Sequence, residues 1–246
     1  MEIHQAIRLI FGAVCAALSV WTVVEAPTSW LWLTALGVTE WGHWLVAPSL
    51  LVWLPGWNKS WLGLTGVILG SVAALLFATP LIRAVVLTHS WPDGLPSLIG
   101  EAVPRSLPEA LPRNAPLVPV DLFRGVESSD VPVRTMVYAT RGDQSLAMDL
   151  YRPPGATQAP GVIVVHGGSW QHGDRAELAA LSRYLAARGY VVASVSYRFA
   201  PQWPFPAARD DVRDAITFLK AHASEYGLDP RRLALLGRSA GGQIAL

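Results

Sequence analysis

The chain has 246 residues, of which 52% are hydrophobic and 15% are charged, and its formal net charge at pH 7 is +1. An average soluble domain carries about 25% charged residues. Phosphate binding needs clustered lysine and arginine, which this sequence lacks, so a nucleic acid partner is excluded. The single cysteine, Cys15, excludes an internal disulfide.

Charge is unevenly distributed along the chain. Only six charged side chains occur up to residue 86: Glu2, Arg8, Glu25, Glu40, Lys59 and Arg83. We predict that residues 1–86 form a transmembrane helical region of about three spans, at residues 9–24, 30–54 and 61–82. A cleavable signal peptide is disfavoured because two further apolar stretches follow the first.

The second predicted span is the least regular, because it contains Glu40, His43 and Pro48. Glu40 and His43 share a helix face, and an ionisable pair inside a membrane is a functional candidate. The favoured interpretation is that the helix ends near the membrane–water interface, where water reaches both Glu40 and His43. Three crossings, with Arg8 and Lys59 on the cytoplasmic side, predict a multi-pass protein whose soluble part is extracytoplasmic.

Prolines recur at short intervals after the third apolar stretch. We predict an extended, proline-rich linker over residues 87–120, which separates the membrane region from a soluble domain at residues 121–246. The prolines of this segment are Pro92, Pro96, Pro104, Pro108, Pro112, Pro116 and Pro119.

Strand and helix patterns alternate in the soluble part. Strands are predicted at residues 131–140, 145–151, 161–165, 190–197 and 232–236, the first two forming a hairpin. Helices are predicted at residues 176–188 and 207–226. The continuous apolar run at residues 161–165 is typical of a strand buried on both faces. The fold class is therefore α/β, with a mostly parallel sheet covered by helices on both faces.

The last strand leads into a GxSxG turn, Gly237-Arg238-Ser239-Ala240-Gly241. Such a turn reverses so sharply that its flanking positions have no room for bulky side chains, and it holds the serine in a strained conformation with its oxygen exposed. Gly237 and Gly241 meet that steric demand. Ser239 is the candidate nucleophile.

A second motif, His166-Gly167-Gly168-Ser169-Trp170, follows the buried strand. A carbonyl under attack develops negative charge on its oxygen, and backbone N–H groups can be placed in advance to receive that charge. Alone, Gly-Gly after a strand is usually just a turn. Together and in this order, the two motifs favour a hydrolase.

With these two motifs, the sequence resembles the α/β-hydrolase superfamily. Within it, the sequence resembles the esterase and lipase group related to hormone-sensitive lipase and to feruloyl-esterase-like acyl hydrolases. The resemblance covers about residues 134–246. It implies that Ser239 is the nucleophile and that Gly167, Gly168 and Ala240 supply oxyanion donors. The residues that support the two motifs are His166, Ser169, Gly237 and Gly241. Two positions depart from the family: Ser169 replaces a third glycine, and Arg238 stands where a histidine or an acidic residue often precedes the serine.

The acid and the histidine of a triad, which the family places after the serine, have no counterpart, because all six histidines precede Ser239. Asp174, Asp210 and Asp211 are interpreted as carboxylates at helix N-termini. We therefore expect an incomplete α/β-hydrolase sheet that ends in an exposed edge, an N-terminal portion of a longer protein and an inactive chain by itself.

The favoured function is that of a membrane-anchored serine hydrolase, which cleaves small-molecule or lipid esters through an acyl-enzyme when full-length. The alternatives are an amide or formamide hydrolase, a non-catalytic hydrolase-like membrane protein, and a separate task of the membrane region involving Glu40 and His43. No cofactor and no metal are predicted. The bilayer and the ester are the expected partners, and the oligomeric state is left open.

Overall fold

The structure is a computed structural model that describes residues 2–56, 60–99, 118–125 and 130–246. The chain divides into two compact units, one built on residues before position 100 and the other on residues after position 117. Each unit has its own hydrophobic core.

The N-terminal unit consists of three long helices: α1 (Glu2–Ser19), α2 (Ser29–Ser49) and α3 (Trp61–Ile99). Glycines allow their close packing. A Cβ atom on Gly66 would lie 2.9 Å from the Arg8 backbone, and one on Gly42 would lie 2.9 Å from the Phe77 carbonyl oxygen. Phe77 is also central to this unit's buried cluster.

Two of these helical segments, Ile3–Thr22 and Trp61–Thr88, are long and apolar enough to span a membrane. The intervening α2 is 21 residues long, but it contains Glu40 and His43 and is not among the candidate spans of the described residues. The expectation of three spans is therefore not supported. Two crossings would leave both ends of the N-terminal region on the same side of the membrane. The expectation that the soluble domain is extracytoplasmic, which depended on three crossings, is therefore not supported either.

Helix α3 continues to Ile99. The expectation of extended chain is therefore wrong for the residues between Thr88 and Ile99. Pro92 and Pro96 are four residues apart, and their missing N–H groups therefore lie on one side of the helix. The remaining helical hydrogen bonds can still form. Residues 100–117, which hold most of the predicted linker, lie outside the described residues.

The second unit contains a five-stranded sheet of order β1-β2-β4-β3-β5. Its strands are β1 (Val133–Arg141), β2 (Gln144–Tyr151), β3 (Ala159–Val165), β4 (Val191–Val195) and β5 (Leu228–Gly237). The predicted hairpin is confirmed, since β1 and β2 pair antiparallel. Strand β3 pairs parallel with both β4 and β5.

The expectation of a mostly parallel sheet is wrong for these five strands, because two of the four pairings are antiparallel. The hairpin is the reason. Its second strand, β2, lies against β4 in the antiparallel direction. At the opposite edge is β5, where Leu235 is 39% exposed, as expected for a sheet that ends at this strand.

Among its described residues, this unit has five helices: α4 (Asp121–Arg124), α5 (Ala179–Ala186), α6 (Ala207–Ala221), α7 (Ala223–Tyr226) and α8 (Ala240–Ala245). The predicted helix at 207–226 is thus interrupted at His222, and it ends at Gly227, which has a left-handed conformation. The predicted helix at 176–188 is shorter because Asp174 caps a preceding turn, where it accepts a hydrogen bond from Ala176 N–H at 2.7 Å.

Strand β3 is buried on both faces, as predicted for residues 161–165. Ile163 and Val165 of β3 pack in the cluster that includes Val212 and Leu219 of α6. The alternate residues of β3, Val162 and Val164, pack on the other side with Ala186 of α5. The carboxyl ends of β3 and β5 therefore emerge side by side, and the two sequence motifs follow these ends.

Candidate active site

Ser239 lies in a sharp turn between β5 and α8, with φ 51° and ψ −120°. Positive φ is rare for a residue with a side chain and marks stored backbone strain. The turn is closed by hydrogen bonds from Gly241 N–H to the Arg238 carbonyl at 2.9 Å and from Gly242 N–H to the Ser239 carbonyl at 2.8 Å. Ser239 is exposed, as the motif predicts.

The flanking glycines are required by close backbone contacts. A Cβ atom on Gly241 would collide with the carbonyl oxygens of Val165 and His166, at the end of β3. A Cβ atom on Gly237 would collide with the Gly241 carbonyl. The turn therefore fits against β3 only with glycine at both positions.

The loop that follows β3 lies directly against this turn. The Arg238 N–H donates to the Val165 carbonyl at 3.1 Å. A Cβ atom on Gly167 would lie 3.5 Å from Ser239 Cβ. The structure thus brings the two predicted motifs together, although they are far apart in sequence.

The three predicted oxyanion donors are available for a ligand. Within the described part of the chain, the N–H groups of Gly167, Gly168 and Ala240 donate no hydrogen bond to another residue. Ala240 begins α8, and the first N–H groups of a helix have no intrahelical partner. Preorganised N–H groups of this kind stabilise negative charge that develops on an oxygen.

The glycine loop is tightly wound, with positive φ at Gly168, Ser169 and Gly173. A Cβ atom on Gly173 would collide with the imidazole of His166. The sequence analysis assigned no role to Gly173 and missed this steric requirement. Its position shortly after the glycine motif was the available indication.

His166 does not face Ser239 as a base; its ring is buried beneath the loop. The ring stacks on Tyr197 at 4.4 Å, and its Nδ1 lies 2.7 Å from the Gly167 carbonyl oxygen. The Tyr197 hydroxyl lies 3.0 Å from the His166 carbonyl oxygen and 3.2 Å from that of Gly167. The sequence analysis placed Tyr197 at the end of a predicted strand and assigned it no role.

Asp211 lies just beyond the first turn of α6, so its placement at the helix N-terminus was wrong. It is fully buried and forms a salt bridge with Arg198 at 2.7 Å. It also accepts a hydrogen bond from the Arg198 backbone N–H at 2.9 Å. The hydrogen bond to Asp211 raises the pKa of the Arg198 guanidinium. Asp210, its neighbour, does lie in the first turn of α6.

No triad partner for Ser239 is found in the described ranges. The structure records no hydrogen bond of the Ser239 hydroxyl to a described histidine or carboxylate. His172 is exposed in the glycine loop, and His222 stacks on Phe218. No group of three or more potential metal ligands occurs among the described residues.

A cavity of about 650 Å³ lies between the glycine loop and α8. Its walls are mainly apolar, with two arginines at the side. The lining residues are Ser169, Trp170, Gln171, Arg198, Ala200, Trp203, Phe205, Ala208, Arg209, Gln243, Ile244 and Leu246. Volumes of this size are typical of small-molecule sites.

A serine turn follows one strand end, and a glycine loop with unused N–H groups follows the next, beside an apolar cavity. This arrangement is similar to that of α/β-hydrolases. Comparison with known proteins agrees with this class. Residues 148–246 match the BD-FAE family.

Several curated esterases are similar to this chain. It is 40% identical over 110 residues to an ethyl acetate hydrolase of Pseudomonas putida, covering 43% of this chain and 35% of that protein. It is 40% identical over 114 residues to the probable isoprenylcysteine alpha-carbonyl methylesterase ICMEL1 of Arabidopsis thaliana, covering 46% of this chain and 23% of that protein. The solved carboxylesterase EstE1, cloned from a metagenomic library, matches at 32% identity and a TM-score of 0.46, covering 50% of this chain and 42% of that chain.

The family match lies within the second unit, and both of these curated relatives are named as ester hydrolases. The chain spans about a third or less of the length of these two relatives.

Proposed function

We propose that the protein is a membrane-anchored serine esterase whose nucleophile is Ser239. The observation that carries this proposal is the contact between the two motifs. An exposed serine in a strained turn lies beside a loop with unused N–H groups. The names of the curated relatives favour esters over amides as substrates.

In the proposed reaction, the Ser239 hydroxyl attacks the ester carbonyl carbon while a base removes its proton. The carbonyl electron pair moves to oxygen, where the N–H groups of Gly167, Gly168 and Ala240 stabilise the charge. The alcohol then leaves with a proton, and water hydrolyses the acyl-enzyme to the acid and free serine. The base is assigned to none of the described residues, because the Ser239 hydroxyl forms no hydrogen bond to a described histidine or carboxylate.

The cavity beside the loop is proposed to hold the apolar part of the ester. Trp170, Trp203 and Phe205 supply aromatic surface, and Ile244 of α8 supplies aliphatic surface. The volume of about 650 Å³ suits a small or medium-sized acyl or alcohol group rather than a polymer.

The two apolar segments, Ile3–Thr22 and Trp61–Thr88, are proposed to anchor the protein in a lipid bilayer. A helix of about 20 apolar residues is sufficient to cross the hydrocarbon core. The proposal predicts that the protein stays in the membrane fraction after washing at alkaline pH and is released only by detergent. Release by the alkaline wash would refute it.

The decisive experiment on the reaction replaces Ser239 by Ala in the full-length protein. We expect hydrolysis of short acyl esters to be abolished, and a fluorescent organophosphorus probe to label the wild type but not Ser239→Ala. Ser224→Ala is the matched control, because Ser224 is exposed on α7, remote in sequence from both motifs, and should change neither result.

Retained hydrolysis in Ser239→Ala would refute the proposed nucleophile. A protein that cleaves amides but not esters would favour the amide or formamide alternative. Neither activity nor labelling in the wild type would favour a non-catalytic hydrolase-like membrane protein.

A further inference from the structure

The N–H groups of Gly167 and Gly168 belong to two peptide units whose carbonyl groups are hydrogen-bonded by buried side chains. No role has been assigned to these side chains so far. The Gly167 N–H belongs to the same peptide unit as the His166 carbonyl, and the Gly168 N–H to the same unit as the Gly167 carbonyl. In a planar trans peptide the C=O and N–H groups point in opposite directions. Fixing the direction of each carbonyl therefore fixes the direction of its N–H group.

Both carbonyls are held by buried donors. The Tyr197 hydroxyl is within hydrogen-bond distance of both, at 3.0 Å from the His166 oxygen and 3.2 Å from the Gly167 oxygen. The Gly167 oxygen also accepts from His166 Nδ1–H at 2.7 Å. His166 and Tyr197 are 1% and 2% exposed, so water does not compete for these bonds.

The Tyr197 hydroxyl and the His166 ring are both able to donate these hydrogen bonds. Burial, and secondarily the charge of Glu177, raise the pKa of Tyr197 to about 12, so its hydroxyl keeps its proton at ordinary pH. His166 Nε2 is buried and has no partner among the described residues. Because the Gly167 carbonyl oxygen can only accept a hydrogen bond, the ring nitrogen that faces it, Nδ1, is the donor.

We propose that His166 and Tyr197 form a positioning pair that orients the N–H groups of Gly167 and Gly168 toward the oxyanion. The pair touches neither substrate nor Ser239 and acts only through the two peptide units. Rigidly oriented donors stabilise a developing charge without reorganising during the reaction. This inference rests on the proposed function and deepens it, since it assigns the origin of the donor geometry.

The test compares two buried tyrosine hydroxyls in the full-length protein. Tyr197→Phe removes the hydroxyl that holds the donor peptides. Tyr138→Phe is the matched control, because the Tyr138 hydroxyl donates to the Ser196 carbonyl at 2.5 Å, and that carbonyl belongs to neither donor peptide. We expect Tyr197→Phe to lower kcat by about 10- to 100-fold with KM unchanged, since misdirected donors weaken only transition-state binding. Tyr138→Phe should leave kcat unchanged.

Two variants of His166 test the other half of the pair. His166→Phe keeps a ring against Tyr197 but loses the donor, and kcat should fall as in Tyr197→Phe. His166→Asn places an amide nitrogen near the position of Nδ1 and should recover most of the activity. An equal loss in His166→Asn and His166→Phe would overturn the role of His166.

A measurement independent of activity separates this inference from the proposed nucleophile. A crystal structure of Tyr197→Phe should show the peptide planes that carry the Gly167 and Gly168 N–H groups turned from their wild-type orientation, whereas Tyr138→Phe should keep that orientation. Unchanged peptide planes and equal kcat in the two tyrosine variants would overturn the positioning pair, even if Ser239 is the nucleophile. Turned peptide planes in Tyr197→Phe together with full activity of Ser239→Ala would refute the nucleophile and retain the structural role of the pair.

Discussion

The Arg198–Asp211 salt bridge can be tested sharply because α6 provides its own control. Asp211 has a fully buried side chain and bonds both the side chain and the backbone N–H of Arg198. Asp210 pairs with Arg209 at 2.8 Å, but its side chain is 44% exposed. If the helix dipole were the main contribution, removing either carboxylate would lower the free energy of unfolding by a similar amount. If burial is the main contribution, removing Asp211 costs more.

The magnitudes separate the two cases. Asp211→Asn keeps the size of the side chain, removes its charge and replaces an acceptor oxygen by an amide group that Arg198 cannot donate to. Breaking one partner of a buried ion pair costs about 3–5 kcal/mol. An exposed pair contributes about 1 kcal/mol or less, and so does a carboxylate at a helix N-terminus. We therefore expect the free energy of unfolding to fall by about 3–5 kcal/mol in Asp211→Asn and by about 1 kcal/mol or less in Asp210→Asn.

The assay is urea denaturation of the purified protein in detergent, followed by far-UV circular dichroism for wild type and both variants. Equal urea dependence of the unfolding free energy would show that the same surface is exposed in each. A double variant, Arg198→Met with Asp211→Leu, should recover part of the loss because neither charge is left unpaired. Similar losses for Asp210→Asn and Asp211→Asn would refute the burial argument.

Two further predictions concern the turn and the pH dependence of stability. Gly241→Ala should abolish esterase activity and lower the melting temperature, because its Cβ collides with the carbonyls of Val165 and His166; a fully active variant would contradict the close contact. Hydrogen bonds from the side chain and then the backbone of Arg231 lower the pKa of Asp229 to about 2, from about 3.9 when unfolded. The stability that Asp229 contributes is therefore fully present above about pH 4 and is lost as the pH falls toward about 2. Between these pH values, the free energy of urea unfolding should depend less on pH in Asp229→Asn than in the wild type.

Local patterns predicted much of the second unit correctly. The hairpin, the buried strand at residues 161–165 and the strand before Ser239 all form near their predicted positions. Each depends on alternation, apolar runs or turn residues within a short segment, and these are visible without the fold. The strained serine was predictable for the same reason, because the sterics of GxSxG act over five residues.

Properties that depend on the whole segment were predicted less well. Helix α2 has the length of a membrane span, but only the segments Ile3–Thr22 and Trp61–Thr88 are both long and apolar enough to be candidate spans among the described residues. Helix α3 continues through Pro92 and Pro96, where proline propensity alone predicts extended chain. Single-residue preferences are weak compared with the sum over a long helix.

The amino-acid sequence by itself determined the two motifs, the order in which they occur and the apolar character of the first 86 residues, since each is a property of neighbouring residues. Tertiary structure decided which strand lies beside which, and with it the contact between Gly167 and Ser239. It also decided that Tyr197 reaches a carbonyl 31 residues away and that Asp211 is buried against Arg198. These contacts arise when β3 pairs with β4 and β5 and when α6 packs on the sheet, and no short segment encodes such pairings.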